Sequence, residues 1–157
     1  MRWITRARPK IDRIACPWLI RRFIDPDAEF HFVPADQVLP QAEKLGATPF
    51  DVEGVELSHD GPLCSFDTIL RKYGLTDPGL RQIAVIVRGA DTEHLELAPQ
   101  AAGLLAISLG LSRIYHDDHA QLAQGMILYD ALYAWAREAK EERHTWNPQR
   151  VPAGTPV

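Results

Sequence analysis

The stretch IDRIACPWLIRRFIDP, residues 11–26, decides where the first helix of this chain lies. Proline is poor inside a helix, because it lacks a backbone N–H and its ring clashes with the preceding turn, but it is favoured at the first helical position. We therefore predict a helix that begins at Pro17, with Cys16 at its cap. The helix should end near Ile24, because the Asp25-Pro26 pair that follows disfavours helical backbone angles.

Short strands are predicted on both sides of this helix. RWIT (residues 2–5) has the composition of a first strand, and AEFHFVP (28–34) alternates well enough for a second. A helix is predicted over 36–45, where a glycine follows as a stop signal. TPFDV (48–52) and VELSH (55–59) are predicted to be two further strands, joined by a turn. The N-terminal half should therefore contain a small mixed sheet packed by helices.

The second half of the chain has the periodicity of helices. The Asp77-Pro78 pair is a good helix start and Gly89 a good stop, although the β-branched residues between them would also fit a buried strand. Residues 98–115 are apolar nearly all round, as expected for a helix buried in the core. The helices predicted for this half cover residues 66–73, 98–115 and 118–143, together with the one that begins at the Asp77-Pro78 pair, whose periodic apolar residues run to Val87. We expect an α/β (α+β) fold that is mostly helical, with one domain over 1–142 and a proline-rich tail over 143–157.

The composition bounds the class of protein. The chain has 157 residues, a net charge of −4 and two cysteines. The acidic balance argues against a general nucleic-acid binder, and two cysteines make neither a disulfide framework nor a paired-cysteine zinc signature. Charges interrupt the N-terminus, so no signal peptide is predicted, and the apolar run 98–111 is too short to span a bilayer. We therefore expect a cytoplasmic protein that does not bind membranes.

The stretch YHDDHA, residues 115–120, suggests either a metal site or an acidic helix start. Asp117 is a natural N-cap, and Asp118 in the first turn complements the helix dipole, which explains both carboxylates without a metal. His119 differs, because the positive helix end favours its neutral form, which is the form that binds metals. Asp118 and His119 are therefore candidate metal ligands, with a structural role as the alternative.

Further candidate ligands lie elsewhere in the sequence. ELSHDG places His59 at the end of a predicted strand, and RGADTEH places Arg88 and Asp91 on a predicted loop between two helices. A set of His59, His119 and a carboxylate such as Asp91 would suit iron, manganese or zinc. The alternative for Arg88 and Asp91 is an ion pair that caps two helix ends.

The two cysteines are both predicted at helix N-termini. The helix dipole at such a position lowers a thiol pKa, and Arg13 could add to this effect at Cys16. Thiols of this kind can reduce an oxidant or bind a soft metal, which makes Cys16 and Arg13 candidate catalytic residues. The alternative is that Cys16 and Cys64 are buried and inert.

Several long and unusual runs make this chain similar to a known family. These runs are RPKIDRIACPWLIRRFIDP, FDVEGVELSHDGPLCSFD, IVRGADT, LAPQAAGL and DDH. Together they resemble the C-terminal domain of the chromate-resistance protein family of the ChrB type, over about residues 3–135. The resemblance implies a link to chromate or oxidant stress. Full-length members carry an additional N-terminal region thought to recognise DNA, and because this chain begins near the start of the shared domain, we expect no nucleic-acid binding by the chain itself.

Three hypotheses for the function follow. The first is a sensing or handling domain in which a metal is held by the candidate histidines and carboxylates, and in which Arg21, Arg22 and Arg88 attract a small oxyanion or other small ligand. The second is a metal-dependent or thiol-dependent enzyme, redox or hydrolytic, that uses the same residues. The third is a partner module that acts through the C-terminal tail without any metal. A homodimer is a further candidate assembly.

Overall fold

A strand–helix–strand unit begins the chain in the computed structural model, which describes residues 1–144. Strand β1 covers Arg2–Arg6, helix α1 covers Asp12–Phe23, and strand β2 covers Glu29–Val33. β1 and β2 pair in parallel, with Trp3 opposite Phe30. Both strands were predicted from the sequence. Most of the predicted C-terminal tail, residues 145–157, lies outside the described residues.

Helix α1 begins at Asp12, so the prediction of a start at Pro17 is wrong. The first helical turn is closed by carbonyls that precede Pro17, because the N–H groups of Ile14 and Ala15 both donate to the carbonyl of Ile11. Pro17 therefore lies inside the helix and leaves one hydrogen bond unmade, at a cost of about 3 kcal/mol. Burial offsets this cost, since every side chain over 14–20 is buried and a large apolar side chain gains about 1.5–3 kcal/mol on burial.

The sheet is smaller than predicted and parallel rather than mixed. Helix α2 (Val38–Leu45) leads through a glycine into strand β3 (Thr48–Pro49), which pairs with β1 in parallel. The strand order is therefore β2-β1-β3. The predicted strand over 55–59 does not form, and Leu57 makes only an isolated bridge to Phe50. Residues 51–64 thus form an irregular loop that carries several polar side chains.

Helices build the rest of the described chain, which confirms a mostly helical α/β fold. Helix α4 begins at the Asp77 cap as predicted, but it continues past Gly89 to Asp91. The helices of this half are α3 (Ser65–Lys72), α4 (Pro78–Asp91), α5 (Ala101–Ile114) and α6 (Asp118–Ala134), with a π-helical turn at Trp135–Ala139. Asp91 therefore lies in the last turn of a helix, where a loop had been predicted.

Trp18 of α1 holds three helices together. Its fully buried indole ring is stacked with Phe66 of α3, with ring centroids 6.4 Å apart, and lies 5.9 Å from the ring of Tyr129 of α6. The indole N–H donates to Asp130 Oδ1 at 2.8 Å, so the polar atom is satisfied. This packing fixes α1, whose first residue belongs to the site described below.

Gly125 allows α6 to pack closely against α1. A Cβ atom at this position would lie 2.2 Å from Cγ2 of Ile14, far inside an ordinary van der Waals contact. Ile14 is itself buried, and its β-branched side chain has little freedom of rotation in a helix. Glycine is therefore required here by the close approach of the two helices.

Helix α5 is not buried in the core, so that prediction is wrong. Only the stripe of Ala101, Leu104, Ser108 and Ser112 is buried, while Ile107 and Ile114 on another face are exposed. The helix packs mainly against α4 and has one face in contact with the protein. Within residues 1–144, no helix combines the length and the apolar character needed to cross a membrane.

Candidate metal centre

Two carboxylates and one imidazole converge from three separate parts of the fold. Asp12 is the first residue of α1, Asp91 is the last residue of α4, and His59 comes from the loop before α3. One potential ligand atom from each lies within 4.8 Å of the others. Nε2 of His59 is 3.1 Å from Oδ2 of Asp91 and 3.7 Å from Oδ2 of Asp12. The three side chains therefore face one common point.

A third carboxylate, Asp51, lies beside this cluster. Its Oδ1 is 3.4 Å from Nε2 of His59 and accepts a hydrogen bond from the Ser65 hydroxyl at 2.7 Å. Its Oδ2 lies 3.1 Å from a guanidinium nitrogen of Arg6 and 3.4 Å from Nε of Arg13. The backbone of Asp51 adopts φ = +49°, a left-handed conformation that aspartate tolerates better than most residues. This turn directs the chain from β3 into the site.

Asp12 is completely buried and fully hydrogen-bonded. Its two oxygens accept the backbone N–H groups of Ser65 at 2.7 Å and Phe66 at 3.0 Å, and Oδ1 also accepts the Cys16 thiol at 3.2 Å. Asp12 therefore sits at the N-terminus of α3, where orphan N–H groups and the helix dipole favour a negative charge. The carboxylate is fixed in one orientation by α1 and α3 together.

The like charges of the cluster perturb one another. Burial and the charges of Asp91 and Asp51 raise the pKa of Asp12 to about 8, and burial with the charge of Asp51 raises the pKa of Asp91 above its usual range. The hydrogen bond to Asp51 and the charges of Asp12 and Asp91 outweigh burial and raise the pKa of His59 to about 9. Burial opposes ionisation of Asp51, yet its bonds to His59 and Ser65 and the two arginines hold its pKa below the usual value. The cluster is thus a site that a positive charge stabilises.

The donor set fits a divalent transition metal. It offers one imidazole nitrogen and up to three carboxylates, a combination of ligands suited to manganese, iron or zinc. Hydrogen bonds from the α3 N-terminus, the Ser65 hydroxyl and the arginines orient the carboxylates, as is usual around metal ligands. The His59 side chain is 42% exposed and borders a cavity of about 530 Å³ that Arg6, Asp51 and Ser58 also line. One side of the site is therefore open to solvent.

The structure unites two of the four predicted metal ligands. His59 and Asp91 lie in the cluster, whereas Asp118 and His119 do not. Asp118 accepts the backbone N–H of Arg8 at 3.1 Å, and exposed His119 lies edge-on to the ring of Phe32. Asp117 caps α6 by accepting the Ala120 N–H at 2.7 Å, as predicted. Asp118 therefore has a structural environment, and His119 is remote from the cluster.

The predicted anion-binding arginines have other partners. Arg21 donates to the Ala28 carbonyl and lies over the ring of Phe30, and Arg22 pairs with Asp130 at 2.7 Å. Arg88 makes a two-bond ion pair with Asp67 at 2.7 and 2.9 Å. The guanidinium groups beside the cluster are those of Arg6 and Arg13. Of these, Arg13 had been singled out from the sequence, as a partner of Cys16.

Both cysteines are buried, in agreement with the inert alternative. The Cys16 thiol donates to Asp12, and the Cys64 thiol donates to Asp67 at 3.3 Å. Burial and the nearby carboxylates raise the pKa of both thiols well above the ordinary value. The predicted lowering by helix dipoles is therefore wrong, because Cys16 lies inside α1 and desolvation dominates at both positions.

Neither Asp12 nor Asp51 was assigned as a metal ligand from the sequence. Asp12 stands within the RPKIDRIACPWLIRRFIDP run that carries the family resemblance, which was the available signal for it. Asp51 follows a short strand and offered only a weaker signal, its place in the FDVEGVELSHDGPLCSFD run.

Comparison with known proteins agrees with the family resemblance of the sequence. A family model described as the ChrB C-terminal domain matches residues 3–136. Protein ChrB of Cupriavidus metallidurans is 35% identical over 132 residues, which cover 83% of this chain and 39% of that protein. The chain thus spans about two fifths of the length of this relative. No solved structure matches the chain significantly.

Proposed function

The chain belongs to the ChrB C-terminal domain family, and on that premise we propose that it is a metal- and oxyanion-binding domain that acts in chromate or oxidant resistance as a sensor or handling protein. One observation carries the metal site. Nε2 of His59 lies 3.1–3.7 Å from oxygens of three carboxylates. Buried like charges at such short range are costly unless a cation joins them.

The proposed ligands are His59, Asp91 and Asp12, with Asp51 beside them. Manganese, iron and zinc are the candidate metals, because carboxylates favour harder ions and a single imidazole suits all three. A metal held by these side chains would supply a positive, Lewis-acidic centre beside the exposed edge of His59.

The charge around the metal favours an anionic ligand. When His59 is neutral, a divalent cation and the guanidinium groups of Arg6 and Arg13 together carry four positive charges, and the three carboxylates carry three negative charges. The net charge of the site is then +1. The adjoining cavity, which Arg6 and His59 line, gives a small oxyanion a route to this centre. Chromate is a tetrahedral dianion, and arginine forks suit oxyanions of this kind.

Metal binding by matched variants tests the proposal. The purified chain is titrated with Mn²⁺, Zn²⁺ and, without oxygen, Fe²⁺ by calorimetry, and its metal content is measured by mass spectrometry. We expect one ion per chain, with affinity reduced about 100-fold or more in His59→Ala and Asp91→Asn, because each removes a direct ligand.

His119→Ala and Asp60→Asn are the controls, since they remove an exposed imidazole and an exposed carboxylate outside the cluster. Both should bind as the wild type does. A wild-type chain that binds none of the three ions, or one that loses affinity equally in the controls, would overturn the metal site. Chromate or sulfate titrated into the metal-loaded chain then tests the anion step, which should weaken in Arg6→Gln.

An enzyme is the second candidate. The open side of His59 leaves room for water or a substrate on the metal, as catalytic metal sites require. Turnover by the metal-loaded chain, measured as decomposition of hydrogen peroxide or hydrolysis of activated esters and lost in His59→Ala, would favour the enzyme over the sensor.

A further inference from the structure

An apolar groove runs between helices α5 and α6. Ile86 of α4, Gly103, Leu104 and Ile107 on the α5 side, and Leu128 and Leu132 of α6 line it. Its volume is about 270 Å³, compared with the ~150 Å³ apolar cavity that accepts a benzene molecule. The groove is therefore large enough to receive aliphatic side chains from outside.

Exposed isoleucines occur on both helices that line the groove. Ile107 and Ile114 lie seven residues apart on α5, so they share a helix face, and they are 50% and 70% exposed. Ile127 on the outer side of α6 is 64% exposed. Large apolar side chains are therefore exposed on both helices that form the apolar groove.

Charged residues are almost missing from this part of the sequence. Those between Ala98 and Ala136 are Arg113, Asp117, Asp118 and Asp130. The three aspartates have local roles, since Asp117 caps α6, Asp118 binds Arg8 and Asp130 binds Arg22. A solvated protein surface normally has about 25–35% charged residues, so an uncharged face of this length is typical of an interface.

We propose that this face, formed by α5, α6 and the groove between them, is the interface of a homodimer. α5 and α6 are about 21 and 26 Å long and about 10 Å wide, so their outward sides together offer on the order of 500 Å² as flat strips. A stable interface needs about 800 Å² of accessible surface per partner, so the projecting side chains and the groove must supply the remainder.

A second copy fits better than an unrelated partner because the face is self-complementary. A two-fold interface places the same patch on both subunits, so the patch must contain both the protruding and the receiving elements. Here half-exposed Ile107 lines the groove, and Ile114 and Ile127 are exposed on the same two helices, so the patch holds both kinds of element. The inference rests on α5 and α6 and not on the metal cluster, so each can fail without the other.

Sedimentation velocity of the 157-residue chain tests the proposal, over about 1–200 µM, where micromolar dimers dissociate on dilution. The wild type should be dimeric at the upper end. Ile107→Glu and Ile127→Glu should each weaken association by about 100-fold or more, because a substitution enters a two-fold interface twice.

Leu39→Glu is the control, since Leu39 on α2 is also exposed, at 51%, but lies outside the face. It should associate as the wild type does. Circular dichroism and metal affinity establish that each variant is folded, and Ile127→Ser replaces any glutamate variant that is not. A wild type that is monomeric throughout, or face variants that associate as tightly as Leu39→Glu, would overturn the homodimer.

Discussion

Substitution of Gly125 by alanine should destabilise the protein although alanine is the better helix former. The added Cβ would lie 2.2 Å from Cγ2 of Ile14, whereas ordinary contacts lie near 3.5–4.0 Å. The two helices must separate by more than 1 Å, or Ile14 must leave its preferred rotamer. Overpacking of this kind costs about 1–3 kcal/mol and sometimes more, against a helix-propensity gain of about 1 kcal/mol. Because the overlap is severe, the cost should lie in the upper half of that range, which leaves a net loss of about 1–2 kcal/mol.

Urea unfolding followed by tryptophan fluorescence measures this change, because Trp18 is buried between the same helices. Gly110→Ala is the matched control. It also replaces a glycine inside a helix, but its Cβ would have nothing within 4 Å, so this variant should be up to about 1 kcal/mol more stable than the wild type.

A double variant separates the clash from other effects. Ile14→Ala removes the atom that the new Cβ meets, so Gly125→Ala should cost less in the Ile14→Ala background than in the wild type. α1 also begins with the proposed ligand Asp12, so a shift of α1 should weaken metal binding as well. The close approach of α1 and α6 would be refuted if Gly125→Ala were as stable as Gly110→Ala. It would also be refuted if Gly125→Ala lowered the free energy of unfolding equally with and without Ile14→Ala.

Three further predictions follow from the charges and thiols. Metal binding should release protons, and the affinity should increase from about pH 6 to 9, because the pKa values of His59 (about 9) and Asp12 (about 8) are raised in the metal-free state. Calorimetry in buffers of different ionisation enthalpy measures the protons released, and an affinity independent of pH would contradict the prediction. Cys16 and Cys64 are buried, so neither should react with a thiol reagent in the native state and both should react in urea. Rapid labelling of the native protein would contradict this prediction and support a thiol-dependent mechanism. Asp130→Asn should lower the free energy of unfolding at pH 7 by less than about 1 kcal/mol, because the ion pair with Arg22 is half exposed. That ion pair lowers the folded-state pKa of Asp130, so the difference in unfolding free energy between variant and wild type should disappear as the pH falls below about 4. A difference unchanged at pH 3 would refute the ion pair.

Local signals in the sequence predicted the elements that neighbouring residues determine. The Asp77-Pro78 start of α4 and the Asp117 cap of α6 were correct, because a capping carboxylate binds N–H groups only three residues away. Pro17 misled for the opposite reason. Its local preference is overridden by the burial of α1 among three helices, which only the tertiary structure provides.

The cluster of His59 and carboxylates was predictable only in part, because its members lie far apart in the sequence. His59 and Asp91 were found from their residue types and positions near element ends, but the orientation of Asp91 depends on α4 extending beyond Gly89. Asp12 is held by N–H groups of Ser65 and Phe66, more than 50 residues away. No periodicity in the sequence reports such a contact. Asp118 and His119 were included in the same predicted ligand set because their adjacency in the sequence is visible, whereas distances in space are not.

The sequence correctly indicated that α5 is apolar nearly all round, but the prediction that α5 is buried in the core of its own chain was wrong. A helix that is apolar nearly all round must be covered on more than one face, and the sequence does not say by what. Among residues 1–144, only one stripe of α5 is buried against the others, and Ile107 and Ile114 are exposed. If a second copy covers them, the sequence pattern of a buried helix and the exposure of α5 in the monomer are both explained, because α5 is then buried in the dimer.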